Sequence, residues 1–150
     1  MSQHQNFLTD LPNAVLFCCS MNSIRSPMAE GILKKMMGTR IYIDSVGVRE
    51  SEPDGFMIAV MDEININMRN HHCKIFKNLQ DDYFDLIIPM SPEAQHHAIE
   101  LTRTIACEIE FWHIFDPSIV EGSRENRIQA YRKVRDQLQQ KIYDRFSSFI

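Results

Sequence analysis

The sequence predicts an α/β fold: a doubly wound, four-stranded parallel sheet with helices on both faces. Continuous apolar runs of strand length, such as AVLFC, are typical of strands buried on both faces. Helical stretches follow these runs, and such alternation is typical of parallel sheets. Because the chain has 150 residues and no internal repeat, we expect one domain over 13–150 and an N-terminal extension over 1–12.

The first elements enclose a short polar turn. A buried strand is predicted over 14–18 and a helix over 27–38, since Pro27 suits the first turn of a helix and Gly38 suits its end. The next strand is predicted over 41–48. The turn between the first strand and its helix therefore lies at the carboxyl edge of the sheet, where folds of this type bind ligands.

The remaining elements continue the alternation. They are predicted as a helix over 52–65, a strand over 83–90, a helix over 92–103, a strand over 107–115 and a helix over 123–146. Ser91 stands where it can cap the helix that follows it. One stripe of the last helix is apolar and should face the core. It comprises Ile128, Tyr131, Val134, Leu138 and Ile142.

The composition excludes several classes of protein. Sixteen basic and twenty acidic side chains leave a net charge of −4, so we expect neither nucleic-acid nor membrane partners. The N-terminus lacks the pattern of a signal peptide, which favours a cytoplasmic location. The four cysteines are then expected to be free thiols. No C-x-x-C pair is present, and adjacent histidines at 71–72 and 96–97 point apart on a helix, so no metal site is predicted.

The polar turn reads CSMNSIRS, a cysteine and an arginine separated by five residues. Such a loop can point its backbone N–H groups at an anion, and the helix that follows adds the positive end of its dipole. Arg25 can hold an oxyanion through two parallel hydrogen bonds. In this setting Cys19 is a candidate nucleophile, Asn22 can brace the loop by bonding its own backbone, and Ser26 can donate a hydrogen bond to the thiolate.

A plainer interpretation is that both neighbouring cysteines are small apolar residues at a strand end. Cys18 alternates to the opposite side of the strand from Cys19 and is expected in the core. On the loop after the fourth predicted strand, Asp116 precedes Pro117 and could be no more than a turn residue. The combination of this aspartate with the cysteine–arginine loop favours an enzyme.

The segment AVLFCCSMNSIRSPMAEGIL resembles the signature of the low-molecular-weight protein tyrosine phosphatases and their arsenate-reductase relatives. The resemblance continues through IDSVGV, FDLIIPM and the stretch that begins FDPSIVEG. It implies the phosphatase I-like fold, a phosphocysteine intermediate formed on Cys19, and phosphate binding by Arg25. It assigns Asp116 the role of general acid and then base. The remaining residues of the implied phosphate-binding loop are Ser20, Met21, Asn22, Ser23, Ile24 and Ser26.

The implied reaction needs no cofactor, since arginine and backbone amides do the work of a metal. Its substrate would be a phosphorylated protein, phosphotyrosine above all, or a small phosphomonoester, with inorganic phosphate as product. We expect a monomer or a weak dimer.

The chain departs from the family pattern at four places. Met21 replaces a glycine, which would be strained if that position needs a positive φ. Ile24 replaces a second cysteine, so no disulfide between neighbouring loop thiols can protect the nucleophile. Ser91 stands where relatives often carry an aspartate. Ser118 and Ile119 replace the tyrosines that flank the substrate ring.

The last departure weakens the expected wall around an aromatic substrate. Ile119 and Phe56 are the candidates that could supply apolar contact instead.

Two other functions remain open. The same loop binds arsenate in the reductase relatives, which need further thiols, and Cys73 and Cys107 are the distant cysteines here. An external thiol donor could serve in their place. The second alternative is a slow or inactive module that binds phosphate, although binding alone does not require Asp116.

Overall fold

The computed structural model describes residues 11–79 and 83–150 and contains a four-stranded parallel sheet. Its strands are β1 (Ala14–Cys19), β2 (Tyr42–Gly47), β3 (Leu86–Pro89) and β4 (Glu108–Ile109). They lie side by side in the order β2-β1-β3-β4. From β1 the chain passes to β2 on one side of it, and later to β3 on the other side. The carboxyl end of β1 is therefore the switch point where such sheets bind ligands. The predicted fold class is confirmed.

Four helices cover the sheet in the described part of the chain. They are α1 (Arg25–Met37), α2 (Gly55–Asp62), α3 (Pro92–Leu101) and α4 (Arg124–Phe146). Short 3-10 turns occupy Phe76–Asn78, Pro117–Ile119 and Ser147–Phe149. Ser91 accepts a hydrogen bond from the N–H of Ala94 at 3.1 Å and caps α3 as predicted.

Both faces of the sheet are buried, as the continuous apolar strands predict. Val15 and Phe17 of β1 face the larger core cluster, which contains side chains of α1, α2 and α4. Leu16 and Cys18 point the other way, into a smaller cluster with side chains of α3. Cys18 is fully buried, which confirms its predicted place in the core. The predicted apolar stripe of α4 is also buried.

Several elements are shorter than predicted, among them the strand predicted over 83–90, which is limited to Leu86–Pro89. The helix predicted over 52–65 begins only at Gly55, because the Asp54 side chain accepts from the first free N–H groups, and it ends before Asn65, which has a φ of 64°. The strand predicted over 107–115 is limited to Glu108–Ile109. Beyond it, the N–H of Trp112 still donates to the carbonyl of Pro89 at 3.0 Å. This segment thus keeps running beside β3 without a regular ladder.

Residues 1–10 lie outside the described residues, and most of the predicted extension over 1–12 falls there. Leu11, the first described residue, packs against the larger core cluster. Within 11–79 and 83–150, no helix combines the length and the apolar character needed to cross a membrane.

Candidate active site

The turn between β1 and α1 is held in place by the backbone of two other segments. The carbonyl oxygen of Ser20 accepts from the N–H groups of Val48 and Arg49, at 2.8 and 2.9 Å, and the carbonyl oxygen of Ser23 accepts from the N–H of Asp54 at 3.2 Å. These bonds tie the loop to the chain that continues from β2 toward α2. We call residues 19–25 with Ser26 the phosphate loop, after the role that the family resemblance implies for it.

The backbone of the phosphate loop turns at Asn22, not at Met21. Asn22 has a φ of 54° and is one of two described non-glycine residues with positive φ, the other being Asn65. Asparagine tolerates this conformation better than most residues. Met21, in place of the family's glycine, therefore has no positive-φ strain to bear.

Gly47 lets the loop lie close to β2. A Cβ atom on Gly47 would stand 2.6 Å from the nitrogen of Asn22 and 2.6 Å from the carbonyl carbon of Met21. Any side chain there would push the loop outward. The sequence contains this glycine in the motif IDSVGV, but only the fold reveals what it faces.

The side chain of Asn22 is the centre of a buried hydrogen-bond network. Its Nδ2 donates to Ser26 Oγ and to Ser45 Oγ, both at 2.9 Å. Its Oδ1 accepts from the N–H of Lys74 at 3.0 Å, and this fixes which end of the amide is oxygen. Asn22 therefore braces the loop through neighbouring elements, and the expectation that it bonds its own backbone is wrong.

Ser26 stands between this network and the thiol. Its Oγ lies 2.9 Å from Cys19 Sγ, and Cys19 is buried at the end of β1. Because Ser26 accepts a hydrogen from Asn22, its own proton is free to be donated. A thiolate can only accept, so the network directs the Ser26 hydroxyl toward an ionised Cys19.

The other arm of the network ends on a buried carboxylate. Ser45 Oγ donates to Glu30 Oε1, and Lys34 Nζ donates to Glu30 Oε2, each at 2.5 Å. His71 lies beside them, with Nε2 3.1 Å from Asn22 Oδ1 and Nδ1 4.0 Å from Glu30 Oε1. Burial lowers the pKa of His71, although the Glu30 charge opposes this shift. Because Asn22 Oδ1 can only accept, Nε2 of the His71 ring is the donor in that contact.

Arg25 begins α1 and is almost fully buried. Its Nη1 donates to the carbonyl oxygens of Met90 and Ile114, at 3.2 and 3.0 Å, and its Nη2 lies 4.0 Å from Asp116 Oδ2. The guanidinium is thus fixed by the ends of two neighbouring chain segments. One of its edges faces the carboxylate predicted to be the acid.

Asp116 is the cap of the 3-10 turn at Pro117–Ile119. Its Oδ1 accepts from both the N–H and the hydroxyl of Ser118, at 3.0 and 2.7 Å. Oδ2 is then the oxygen that faces the Arg25 guanidinium. Ser118, which replaces a tyrosine of the family, therefore orients the carboxylate here.

The two candidate wall residues differ in environment. The ring of Phe56 is half-buried and packs on Tyr131, with 5.2 Å between ring centres. Ile119 is 65% exposed beside the 3-10 turn. Phe56 is therefore the better fixed of the pair.

Ser91 joins the phosphate loop to α3. Its Oγ accepts from Ser20 Oγ at 3.1 Å while it also caps the helix. A serine at this position therefore replaces the family's aspartate with a neutral link.

The remaining thiols differ from Cys19 in surroundings. Burial raises the pKa of Cys18 well above its ordinary value, and it raises the pKa of Cys73 and of Cys107 to about 11. All three are thus protonated at neutral pH. Across residues 11–79 and 83–150, no group of three histidine, cysteine or acidic side chains is placed to hold a metal ion.

The comparisons with known proteins identify the family of the chain. The model of the family "Low molecular weight phosphotyrosine protein phosphatase" matches residues 14–148. A glutaredoxin arsenate reductase from Synechocystis is 29% identical over 129 residues, covering 85% of this chain and 92% of the relative.

Two solved structures show the same fold. The tyrosine phosphatase AmsI of Erwinia amylovora has a TM-score of 0.74 at 20% identity, covering 92% of this chain and 93% of its own. An arsenate reductase in the phosphate binding state has a TM-score of 0.72 at 24% identity, and the match covers 92% of this chain and 99% of the reductase chain. With the family match spanning nearly the whole described sequence, we conclude that the chain belongs to the low molecular weight phosphotyrosine protein phosphatase family.

Proposed function

We propose that the protein is a cysteine-dependent phosphatase that hydrolyses phosphomonoesters, with protein phosphotyrosine as the substrate class. One observation carries the proposal. Cys19, whose Sγ lies 2.9 Å from the Ser26 hydroxyl, opens the same loop that Arg25 closes, and the guanidinium of Arg25 faces the Asp116 carboxylate. A nucleophile, an anion-binding group and an acid are all present at one edge of the sheet.

The first step forms a phosphocysteine. The Cys19 thiolate attacks the phosphorus and forms an S–P bond, while the bond from phosphorus to the ester oxygen breaks. Asp116 gives its proton to the departing oxygen, which leaves as an alcohol or phenol. Arg25 and the loop N–H groups hold the three non-bridging oxygens, where negative charge is concentrated.

The second step restores the enzyme. The Asp116 carboxylate takes a proton from a water molecule, which attacks the phosphorus as the S–P bond breaks. Inorganic phosphate is released and Cys19 returns as a thiolate, stabilised by the hydroxyl of Ser26. No electrons are gained or lost in the cycle.

Hydrolysis of p-nitrophenyl phosphate at about pH 5.5–6, mildly acidic conditions that suit a carboxylic acid as proton donor, tests the proposal. We expect turnover by the reduced protein and a loss of at least about 10³-fold in Cys19→Ser. Cys73→Ser is the matched control, because it removes a thiol outside the phosphate loop, and it should retain turnover. Folded, reduced protein without turnover, or full activity in Cys19→Ser, would contradict the proposal.

Arsenate reduction is a second candidate, favoured by the relatives: the Synechocystis protein and one from Bacillus subtilis, 25% identical over 124 residues, are both named arsenate reductases. In such a reaction Cys19 would attack arsenic and water would leave. Two external thiols would then supply two electrons, forming a disulfide and releasing arsenite. The raised pKa of Cys73 and Cys107 makes both poor internal nucleophiles. The assay therefore supplies glutathione and glutaredoxin as the thiol donors. Arsenite formation without phosphatase turnover would favour this function.

A further inference from the structure

Two arginines near the start of α4 have no acidic partner among the described residues. Arg124 is the first residue of the helix and Arg127 lies one turn later. Their guanidinium carbons stand 5.5 and 4.9 Å from the centre of the Phe56 ring, on which both stack. No carboxylate of residues 11–79 or 83–150 lies within ion-pair distance of either side chain.

These arginines lie between the two sides of the candidate active site. Phe56 follows Asp54, whose N–H donates to the carbonyl oxygen of Ser23 in the phosphate loop. Asp54 also accepts a hydrogen bond from the hydroxyl of Tyr131 in α4, at 3.0 Å. The start of α4 is in turn reached directly from the 3-10 turn that follows Asp116. Both arginines are thus at the carboxyl edge of the sheet, beside the site.

Two acidic residues close to these arginines in the chain or through Phe56, Glu125 and Asp54, already have other partners. Asp54 Oδ1 accepts the N–H groups at the start of α2, and Oδ2 accepts Tyr131. Glu125 lies 3.3 Å from Arg132. In a chain with a net charge of −4, the two guanidinium groups form a local positive patch with no ion-pair partner among residues 11–79 and 83–150.

We propose that Arg124 and Arg127 bind acidic residues that flank the phosphorylated side chain of a protein substrate. This inference rests on the proposed phosphatase function and deepens it. Stacking on Phe56 holds the guanidinium planes in place, so that their N–H groups remain free for carboxylates. The patch then selects substrates by charge, on the side where the family's tyrosines are missing.

The test compares two phosphotyrosine peptides of equal length, one flanked by glutamates and the other by glutamines. For the wild type we expect kcat/KM to be about three- to tenfold higher for the acidic peptide, as two exposed charge pairs allow. In Arg124→Gln/Arg127→Gln the ratio should fall to about one. Arg40→Gln/Arg103→Gln is the control, because it removes two exposed charges at the opposite edge of the sheet and should keep the preference.

Each result has a distinct meaning. If the arginines only support packing, the double variant Arg124→Gln/Arg127→Gln loses activity equally on both peptides. The ratio of their kcat/KM values then stays as in the wild type, and this result overturns the inference. Equal kcat/KM values in the wild type overturn it as well. Absence of p-nitrophenyl phosphate turnover would instead sink the proposed function. In that event, fluorescence anisotropy of both labelled peptides on Cys19→Ser protein tests the patch by binding alone, with the same expected preference.

Discussion

The two sides of the candidate active site differ in how firmly they are held. In the phosphate loop, Asn22, Arg25 and Ser26 are buried, and each makes side-chain hydrogen bonds to other parts of the protein. On the opposite side, Ile119 is 65% exposed and Phe115 is 47% exposed. The side that would bind the phosphoryl group is thus determined by the fold, whereas the side that would meet the rest of the substrate is left open.

This difference indicates where the family's chemistry and its selectivity reside. Anion binding needs donors that do not move, because reorganising them during reaction would cost free energy. Substrate choice needs only contacts at the mouth, which the chain can change without disturbing the loop. The replacement of tyrosine by Ser118 lies on the open side, as does the arginine pair.

The largest effect should come from the fixed side. Arg25→Lys keeps the charge but loses the planar fork that can serve two carbonyls and an oxyanion together. We expect kcat/KM for p-nitrophenyl phosphate to fall by about 10³-fold. Arg40→Lys, at the other edge of the sheet, is the control. A loss below about tenfold would show that the loop N–H groups bind the anion without the guanidinium.

Asp116→Asn should have the next largest effect, and its size should depend on the substrate. Without a proton donor, kcat for phenyl phosphate should fall by about 10²-fold. The loss for p-nitrophenyl phosphate should be smaller, since nitrophenolate leaves without a proton. The exposed Asp144→Asn serves as control. Equal losses for both substrates would argue that Asp116 acts through Arg25 and not as an acid.

Gly47→Ala tests how closely the loop must approach β2. The added Cβ meets loop backbone at 2.6 Å, so we expect a lower thermal midpoint, about 1–3 kcal/mol less stability, and weaker phosphate binding. Gly55→Ala is a matched control, because nothing lies within 4 Å of a Cβ added there. Should both variants unfold at the same temperature and bind phosphate equally, the loop is more yielding than its hydrogen bonds indicate.

The smallest effect concerns a surface far from the loop. Hydrogen bonds from Arg132 and Arg135 lower the pKa of Glu63 to about 2, from an ordinary 4.5. The interaction of Glu63 with these two arginines therefore stabilises the fold fully above about pH 4.5, and this contribution is lost as pH falls toward 2. Glu63→Gln should flatten the stability profile over this range in chemical unfolding, by less than about 1 kcal/mol.

Glu100→Gln, which removes a simpler exposed pair with Arg103, is the control for this profile. If both variants lose stability with the same slope between about pH 5 and pH 3, the Glu63 network contributes nothing special.

Much of the fold could be predicted because its signals are local. Continuous apolar runs mark β1 and β3, and the apolar stripe of α4 marks a helix against the core. The extent of β4 could not be predicted, since its length depends on how far β3 runs beside it. The cysteine–arginine loop could also be predicted from the sequence, because its residues are close together along the chain.

The hydrogen bonds that support this loop could not be predicted from the sequence. Asn22 meets Ser45 and Lys74, which are 23 and 52 residues away along the chain. Glu30 stands in the quoted motif, yet its role depends on Ser45 and His71 folding onto it. The need for a glycine at position 47 likewise becomes clear only from the loop backbone that lies close to it. Contacts of this kind depend on the register of β2 beside β1.

The hydroxyl of Ser26 has a single proton and two possible acceptors, Cys19 Sγ at 2.9 Å and the carbonyl oxygen of Val46 at 3.5 Å. In the proposed cycle the sulfur carries a negative charge at rest and none once it bears a phosphoryl group. The proton should then turn from sulfur to carbonyl and back in each turnover. Such a rotating hydroxyl would register the covalent state of the nucleophile, and isotope-edited infrared bands of the Val46 carbonyl would follow it.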